Sequence, residues 1–157
     1  MKVMLKTIWM VCALFFLNAC DRPPELKKEQ FTGSWESGDG AIIELREDGT
    51  YTARKLDFLA YCCYDEIEDT MRFDMEGDWR IMEEGDRPIL KLSSNQTFED
   101  YGIEKTYTVD DKVLSHKIGM ELNISGRGML ENKPPWHLFY WVGDPDDMNK
   151  YEFLKKE

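Results

Sequence analysis

From Phe31 onward the chain consists of short segments in which apolar and polar residues alternate. The clearest pair is residues 41–46 and 50–54, which flank Glu47-Asp48-Gly49. Alternation with a period of two is typical of a strand with one buried face. Asp-Gly between two such runs indicates a hairpin, because its turn needs positive φ. The pattern predicts that Ile43 and Leu45 share a face with Tyr51 and Ala53 across this hairpin.

The same alternation recurs along the rest of the chain. Turn residues interrupt it about every eight to twelve positions, which is typical of an all-β sandwich or barrel. Residues 136–142 differ, since they are apolar or aromatic on both faces, as in a strand that is covered on both sides. We expect about nine strands in total and no long helix. The strands after the first hairpin are expected at residues 77–82, 89–92, 103–109, 113–118, 120–124, 136–142 and 151–154.

The first nineteen residues have the pattern of a secretory signal. Lys2 and Lys6 precede the uncharged run of residues 7–17. A basic start followed by an apolar stretch of this length is typical of a signal peptide. The run is too short to span a bilayer, which takes roughly 20 apolar residues. We therefore expect residues 1–19 to be removed.

Charge limits the partners that the remaining chain can have. The leader holds two lysines and no acid, so the other 18 basic and 31 acidic residues give a net charge of −13. Nucleic acid requires a basic face, and we exclude it as a partner. The remaining length suits a single domain.

Leu17-Asn18-Ala19-Cys20 resembles the lipobox of bacterial lipoproteins, with leucine at −3, a small residue at −1 and the modified cysteine. The resemblance implies that Cys20 becomes the N-terminus and carries a diacylglyceryl group and an N-acyl chain such as palmitate. Two or more acyl chains anchor a protein stably to a membrane. Asp21 resembles the signal that retains such proteins in the inner membrane. We expect a lipid-anchored protein of the bacterial cell envelope that faces the periplasm.

The residues after Cys20 divide into a tether and a domain. Residues 20–30 contain Pro23-Pro24 and predict a tether that ends in a short helix. Gly33-Ser34-Trp35 then opens the first strand, and Gly77-Asp78-Trp79 repeats its spacing. This order is similar to that of lipocalins and lipocalin-like bacterial lipoproteins. The resemblance implies that residues 31–157 form a lipocalin-like up-and-down antiparallel β-barrel of about eight or nine strands, closed at one end by the helix.

Five aromatic residues fall where inward faces are expected. A small barrel interior is either filled by side chains or holds one small ligand. Both interpretations are open for these residues, which are the candidates to line a site for a small apolar ligand. They are Trp35, Tyr51, Trp79, Tyr107 and Tyr140.

Three further features suggest contacts or chemistry. Trp136, Phe139 and Trp141 cannot all face one barrel interior, and they are candidates to contact the N-terminal helix, a partner or the membrane surface. Adjacent Cys62 and Cys63 are either a redox pair or one core cysteine beside an incidental one. Seven acids in residues 65–78 form either a solvated loop between two strands or a surface for calcium or a cationic partner. No metal-ligand spacing occurs.

The sequence offers no set of nucleophile, base and orienting group, and no glycine loop for phosphate. We therefore expect a non-enzymatic protein without a cofactor. The leading hypothesis is a lipoprotein that binds a small apolar ligand or envelope component in or on its barrel. The alternative is an inhibitor or immunity-type lipoprotein that captures a cationic enzyme or toxin through its acidic surface.

Overall fold

The computed structural model describes residues 26–57, 71–84, 87–127 and 133–156. The predictions for the leader, Cys20, Asp21, Cys62 and Cys63 lie outside these residues. In the described part a short helix precedes ten strands, and two 3₁₀ turns follow the fifth and ninth strands. The elements are α1 (Lys28–Phe31), β1 (Gly33–Ser37), β2 (Ile42–Leu45), β3 (Thr50–Asp57), β4 (Arg72–Glu84), β5 (Arg87–Thr97), the turn Phe98–Tyr101, β6 (Thr106–Val109), β7 (Lys112–Ser115), β8 (Lys117–Arg127), β9 (Lys133–Trp141), the turn Pro145–Asp147 and β10 (Lys150–Lys155).

Eight of the strands form a closed antiparallel barrel. Strands β1 to β5 are neighbours in chain order, β5 pairs with β8, and β8, β9 and β10 follow in order until β10 pairs with β1. The predicted up-and-down antiparallel barrel with a short N-terminal helical turn is confirmed. Closure removes the exposed sheet edges that an open sheet would present.

The first hairpin has the predicted register. Ile43 lies opposite Ala53 and Leu45 lies opposite Tyr51, and all four side chains are buried. Strand β4 differs from the prediction because it begins at Arg72 and not near Gly77. The second half of the acidic stretch therefore belongs to a strand and not to a loop.

Strands β6 and β7 form a separate hairpin outside the barrel. They pair with each other in a two-stranded sheet, joined at Asp110 and Asp111, whose φ angles are 50° and 61°. Positive φ at both turn residues matches the turn geometry that suits the twist of a hairpin. Nearly every residue of the two strands is exposed.

The barrel has two unlike ends. Helix α1 lies at the closed end, next to the start of β1. The other end, called the mouth from this point, is where β5 runs into the turn Phe98–Tyr101 and where the β6–β7 hairpin emerges. In the described part of the chain, no helix is both long and apolar enough to cross a membrane.

Candidate functional site

The centre of the barrel is filled by side chains. Three of the five predicted inward aromatics lie in this core, with exposed fractions of 0% for Trp35, 1% for Tyr51 and 3% for Trp79. A void large enough for water would leave exposed area on its walls. No such void borders the core residues that expose no surface, among them Trp35, Ile43, Leu56, Leu90, Leu92, Leu122, Leu138 and Phe153. The burial of Trp35, Tyr51 and Trp79 favours the interpretation that they fill the barrel interior over the interpretation that they line a ligand site.

An aromatic stack seals the closed end. The ring of Phe31 lies 6.1 Å from that of Trp35 and 6.0 Å from that of Trp136, centroid to centroid. The Trp35 indole N–H donates to the Phe31 carbonyl at 2.7 Å. Helix α1 is too short to be stable alone, so this burial fixes it in place.

Trp79 joins the first hairpin to the helix at the same end. Its indole N–H donates to the Arg46 carbonyl at 2.9 Å, and its backbone N–H donates to the Gly49 carbonyl at 2.7 Å. The Lys28 ammonium lies 5.1 Å from its ring centroid. These contacts cover Trp79, which is 3% exposed.

A polar cluster around Asp39 joins the β1–β2 turn to its neighbours at the mouth. The carboxylate accepts hydrogen bonds from the Ser37 hydroxyl, from the Ala41 backbone N–H at 3.3 Å and from the Tyr151 hydroxyl at 3.1 Å. Arg72 lies 3.6 Å away. Burial alone would raise the pKa of Asp39, but these hydrogen bonds and the Arg72 charge outweigh it and lower the pKa below its usual value.

Tyr151 is the centre of this cluster. Its hydroxyl donates to Asp39 and accepts from the Asp57 backbone N–H at 3.3 Å, while Arg72 pairs with the Asp57 carboxylate at 3.2 Å. Burial, together with the nearby Asp39 charge, raises the pKa of Tyr151 to about 12. The cluster ties β10 to β3 and to the β1–β2 turn, which is a structural role.

An open cleft of about 540 Å³ lies beside the mouth, where β5 and β8 meet the turn Phe98–Tyr101. Its volume is in the range of small-molecule sites, roughly 300–1,000 Å³. The register of β8 with β9 begins at Asn123, so this part of β8 lies beyond the β8–β9 ladder. The cleft is lined by residues 91–94 of β5, residues 117–121 of β8, Phe98, Lys105 and Tyr140.

Backbone hydrogen bonds hold the parts of this cleft together. The Phe98 N–H donates to the His116 carbonyl at 3.1 Å, and the His116 N–H donates to the Lys105 carbonyl at 2.9 Å. Residues far apart in the chain therefore meet in a fixed arrangement. Phe98 is 4% exposed and belongs to the core, so it forms an apolar wall that continues into the interior.

The rim of the cleft is basic. The Lys91 ammonium pairs with Glu121 at 2.6 Å, and the Lys117 ammonium donates to the Asn95 side-chain oxygen at 3.1 Å. The Lys105 ammonium lies 4.7 Å from the centroid of the Phe98 ring. The sequence did not predict this cleft, because its lysines and aromatics come from separate elements that meet only through strand pairing and the backbone hydrogen bonds of His116.

The structure places the two remaining predicted inward aromatics, Tyr140 and Tyr107, in different environments. Tyr140 is half-buried, packs against the core and lines the cleft, so it remains a candidate ligand contact. The prediction that Tyr107 faces the interior was wrong: it is 42% exposed on the β6–β7 hairpin. Its ring contacts that of His116 in a tilted arrangement, with centroids 4.6 Å apart. Alternation showed a strand at this position but could not show that the strand leaves the barrel.

The three aromatics of β9 occupy different environments. Trp136 is buried at the closed end against Phe31, so it contacts the N-terminal helix region and is not available as a partner surface. Phe139 and Trp141 pack edge-to-face outside the barrel, with centroids 5.2 Å apart. The Lys150 ammonium lies 4.3 Å from the Phe139 centroid and covers this pair. Of the three alternatives left open, contact with the N-terminal helix therefore holds for Trp136, which does not form a partner surface, and Phe139 is also largely buried.

Three acids of the predicted acidic stretch form a stripe on β4. Asp74, Glu76 and Asp78 are exposed and alternate with the inward side chains of this strand. The other four acids lie outside the described residues. Within the described residues, no cluster of three histidine, cysteine or acidic side chains could hold a metal ion.

In comparisons with known proteins, no family model, no curated protein and no solved structure matches this chain.

Proposed function

We propose that the chain is a non-enzymatic envelope protein that binds a small ligand with an apolar part in the cleft beside the barrel mouth. The observation that carries this proposal is the contrast between the filled barrel centre and this cleft, whose lining combines aromatic with basic side chains. Two aromatic side chains border the cleft: Tyr140, which is half-buried, and Phe98, of which 4% is exposed. Apolar lining with a few polar groups is the usual composition of a ligand site.

The proposed membrane attachment gives this cleft an orientation. We propose that Cys20 is acylated, that residues 20–30 tether the barrel, and that the protein faces the periplasm. Helix α1 forms the end of this tether, so the closed end of the barrel would lie next to the anchor. The mouth and its cleft then point away from the bilayer and are open to ligands in the periplasm. The Gly33-Ser34-Trp35 opening and the N-terminal helical turn also support a lipocalin-like relationship.

Ligand titration tests the proposal. Nile red, a neutral dye, and dodecanol as its competitor are added to the purified chain, and dye fluorescence is followed. We expect saturable binding of the dye and its displacement by dodecanol. Ser93→Trp should remove most of the binding, because Ser93 is an exposed residue of the cleft and an indole there would occupy it.

The matched control places the same side chain elsewhere. Thr108 is exposed on the β6–β7 hairpin, so Thr108→Trp should bind the dye as the unchanged protein does. Absence of saturable binding, or equal binding by the Ser93→Trp variant, would contradict the proposed site.

A second candidate function is the capture of a cationic protein. The stripe of Asp74, Glu76 and Asp78 on β4 supports it, together with the acidic balance of the chain. Electrostatic capture weakens as salt screens the charges. We expect a basic partner recovered from envelope extract to be lost at high salt and to bind the variant Glu76→Gln/Asp78→Asn more weakly. If no basic partner is recovered at low salt, this candidate fails.

A further inference from the structure

We infer that the ligand of the cleft is a single-chain amphiphile with an anionic head, which Lys105 and Lys117 bind at the rim while the chain lies against Phe98 and Tyr140. This inference rests on the proposed function, because it specifies the chemistry of the ligand at the same cleft.

The first observation is the local sign of the charge. The whole chain has a net charge of −11, yet the charged side chains that line the cleft are three lysines and one glutamate. A cleft attracts ligands of the opposite sign when like charges line it. This cleft therefore differs in sign from the rest of the molecule, and it favours an anion.

The second observation concerns the partners of these lysines. Lys91 is compensated by Glu121 at 2.6 Å, and this pair neutralises itself. The Lys117 ammonium donates to a neutral amide, that of Asn95. A neutral acceptor leaves the positive charge of Lys117 uncompensated at this contact, so an anionic oxygen would be a stronger acceptor there.

The third observation is the position of Lys105. Its ammonium lies 4.7 Å from the centroid of the Phe98 ring, so charge and apolar surface are adjacent. The hydrogen bond from the His116 N–H to the Lys105 carbonyl places Lys105 beside the start of β8, next to Lys117. Two cations at one side of an aromatic wall fit a molecule whose anionic head and apolar chain are joined.

These features distinguish the amphiphile from other anions. A polyanion would need a broad basic face, and the chain is acidic overall. A small inorganic anion would make no use of Phe98 and Tyr140. An uncharged apolar molecule would make no use of the lysines.

The experiment compares three ligands that share one chain. Laurate, dodecyl phosphate and dodecanol are titrated as monomers into the full-length protein, by calorimetry and by displacement of Nile red. We expect the two anions to bind about tenfold more tightly than dodecanol, which corresponds to one or two charge-assisted hydrogen bonds. This advantage should shrink as salt is raised, while dodecanol binding should not weaken.

Variants then test whether Lys105 and Lys117 bind the anionic head of the ligand. Lys105→Gln/Lys117→Gln should weaken laurate binding about tenfold and leave dodecanol binding unchanged. The charge-matched control is Lys112→Gln at the far end of the β6–β7 hairpin. It should change neither laurate binding nor dodecanol binding.

The outcomes separate the two proposals. If dodecanol binds as tightly as the anions and the double variant behaves like the control, the anionic head is refuted while the proposed ligand cleft stands. If neither the anions nor dodecanol bind saturably, the proposed function itself fails, and this inference fails with it. If the anions alone bind but Ser93→Trp does not block them, they bind outside the cleft, which also refutes the inference.

Discussion

At the scale of single residues, Gly77 allows β4 and β5 to approach each other. A Cβ atom on this residue would lie 2.0 Å from the Ser93 carbonyl oxygen, and its φ is +156°. Both the contact and the backbone angle exclude a side chain. Gly38, in the turn after β1, has no atom within 4 Å of the corresponding position.

These two glycines form a matched pair of substitutions. We expect Gly77→Ala to lower the free energy of unfolding by about 3 kcal/mol or more, because overpacking and backbone strain act together. Gly38→Ala should change it by less than about 0.5 kcal/mol. Urea denaturation followed by tryptophan fluorescence measures both. Equal effects of the two substitutions would show that β4 and β5 are not packed as closely as described.

Tyr151 gives a prediction that depends on pH. Its pKa is raised to about 12 by burial and by Asp39, above the ordinary value of 10.0 that the unfolded chain would have. The folded protein therefore holds this proton more tightly than the unfolded chain does. The resulting stabilisation is fully present below about pH 10 and is lost as the pH rises through 12.

We expect Tyr151→Phe to be less stable at pH 7 by about 1 kcal/mol, since the hydrogen bonds to Asp39 and Asp57 are lost. The difference from the unchanged protein should narrow between pH 10 and 12, where the unchanged protein loses its advantage. Urea denaturation at pH 7, 9 and 11 measures this difference. Tyr107→Phe, at an exposed site outside the barrel, is the control. If Tyr151→Phe and the unchanged protein differ in stability by the same amount at every pH, the raised pKa of Tyr151 does not contribute to stability as described.

At the scale of elements, helix α1 is a plug whose stability comes from tertiary contacts. It has only four residues, and one of them, Phe31, is fully buried against Trp35 and Trp136. The sequence predicted the helix and the barrel strand that follows it. It left contact with the N-terminal helix as one of three alternatives for Trp136, and the structure shows that Trp136, more than a hundred residues later, completes the same aromatic stack.

Removal of the Phe31 side chain from the plug should lower the stability of the protein. Phe31→Ala should lower the free energy of unfolding by about 3–5 kcal/mol, because a cavity opens between the rings of Trp35 and Trp136. Glu29→Ala on the exposed side of the same helix should cost less than about 0.5 kcal/mol. Thermal and urea denaturation measure the effect. A loss below 1 kcal/mol for Phe31→Ala would mean that the helix does not close the barrel.

The two hairpins show what periodicity can and cannot predict. For β2 and β3, alternation and the Asp-Gly turn specified the register and the buried face, because both features are local. For β6 and β7, the same kind of alternation wrongly placed Tyr107 inside the barrel. Period two reports that side chains point to opposite faces, but it does not report which sheet a strand joins. The cleft was unpredictable for a related reason, since Lys105 meets Phe98 and β8 only through long-range pairing.

At the scale of the whole molecule, the proposed membrane attachment and the proposed ligand cleft belong to opposite ends of the barrel. The short helix, which ends the proposed tether, lies at the sealed end, and the cleft lies beside the mouth. If Cys20 carries the proposed lipid, the protein presents its binding site on the side away from the membrane. The filled core between the two ends provides a rigid support for that site.

The proposed lipid anchor has a matched cysteine control within the leader. Cys20→Ala should block incorporation of labelled palmitate and leave the chain unprocessed, because no thiol remains at position 20 to carry the diacylglyceryl group. Cys12→Ala should be processed and labelled as before, since Cys12 lies in the segment that is removed. Metabolic labelling and membrane fractionation in a bacterial host measure both. A Cys20→Ala chain that stays labelled and anchored would refute the proposal.

The location of a bound amphiphile tests the central claim most directly. Amide resonances of the ¹⁵N-labelled chain are followed by NMR during titration with laurate. Chemical-shift changes should be concentrated at residues 91–94 and 117–121, at Phe98 and at Lys105. They should be small at Phe31 in the plug and at Trp35, which packs against it. Changes concentrated at the plug or along the acidic stripe of β4, or no saturable changes at all, would contradict a ligand site in the cleft beside the mouth.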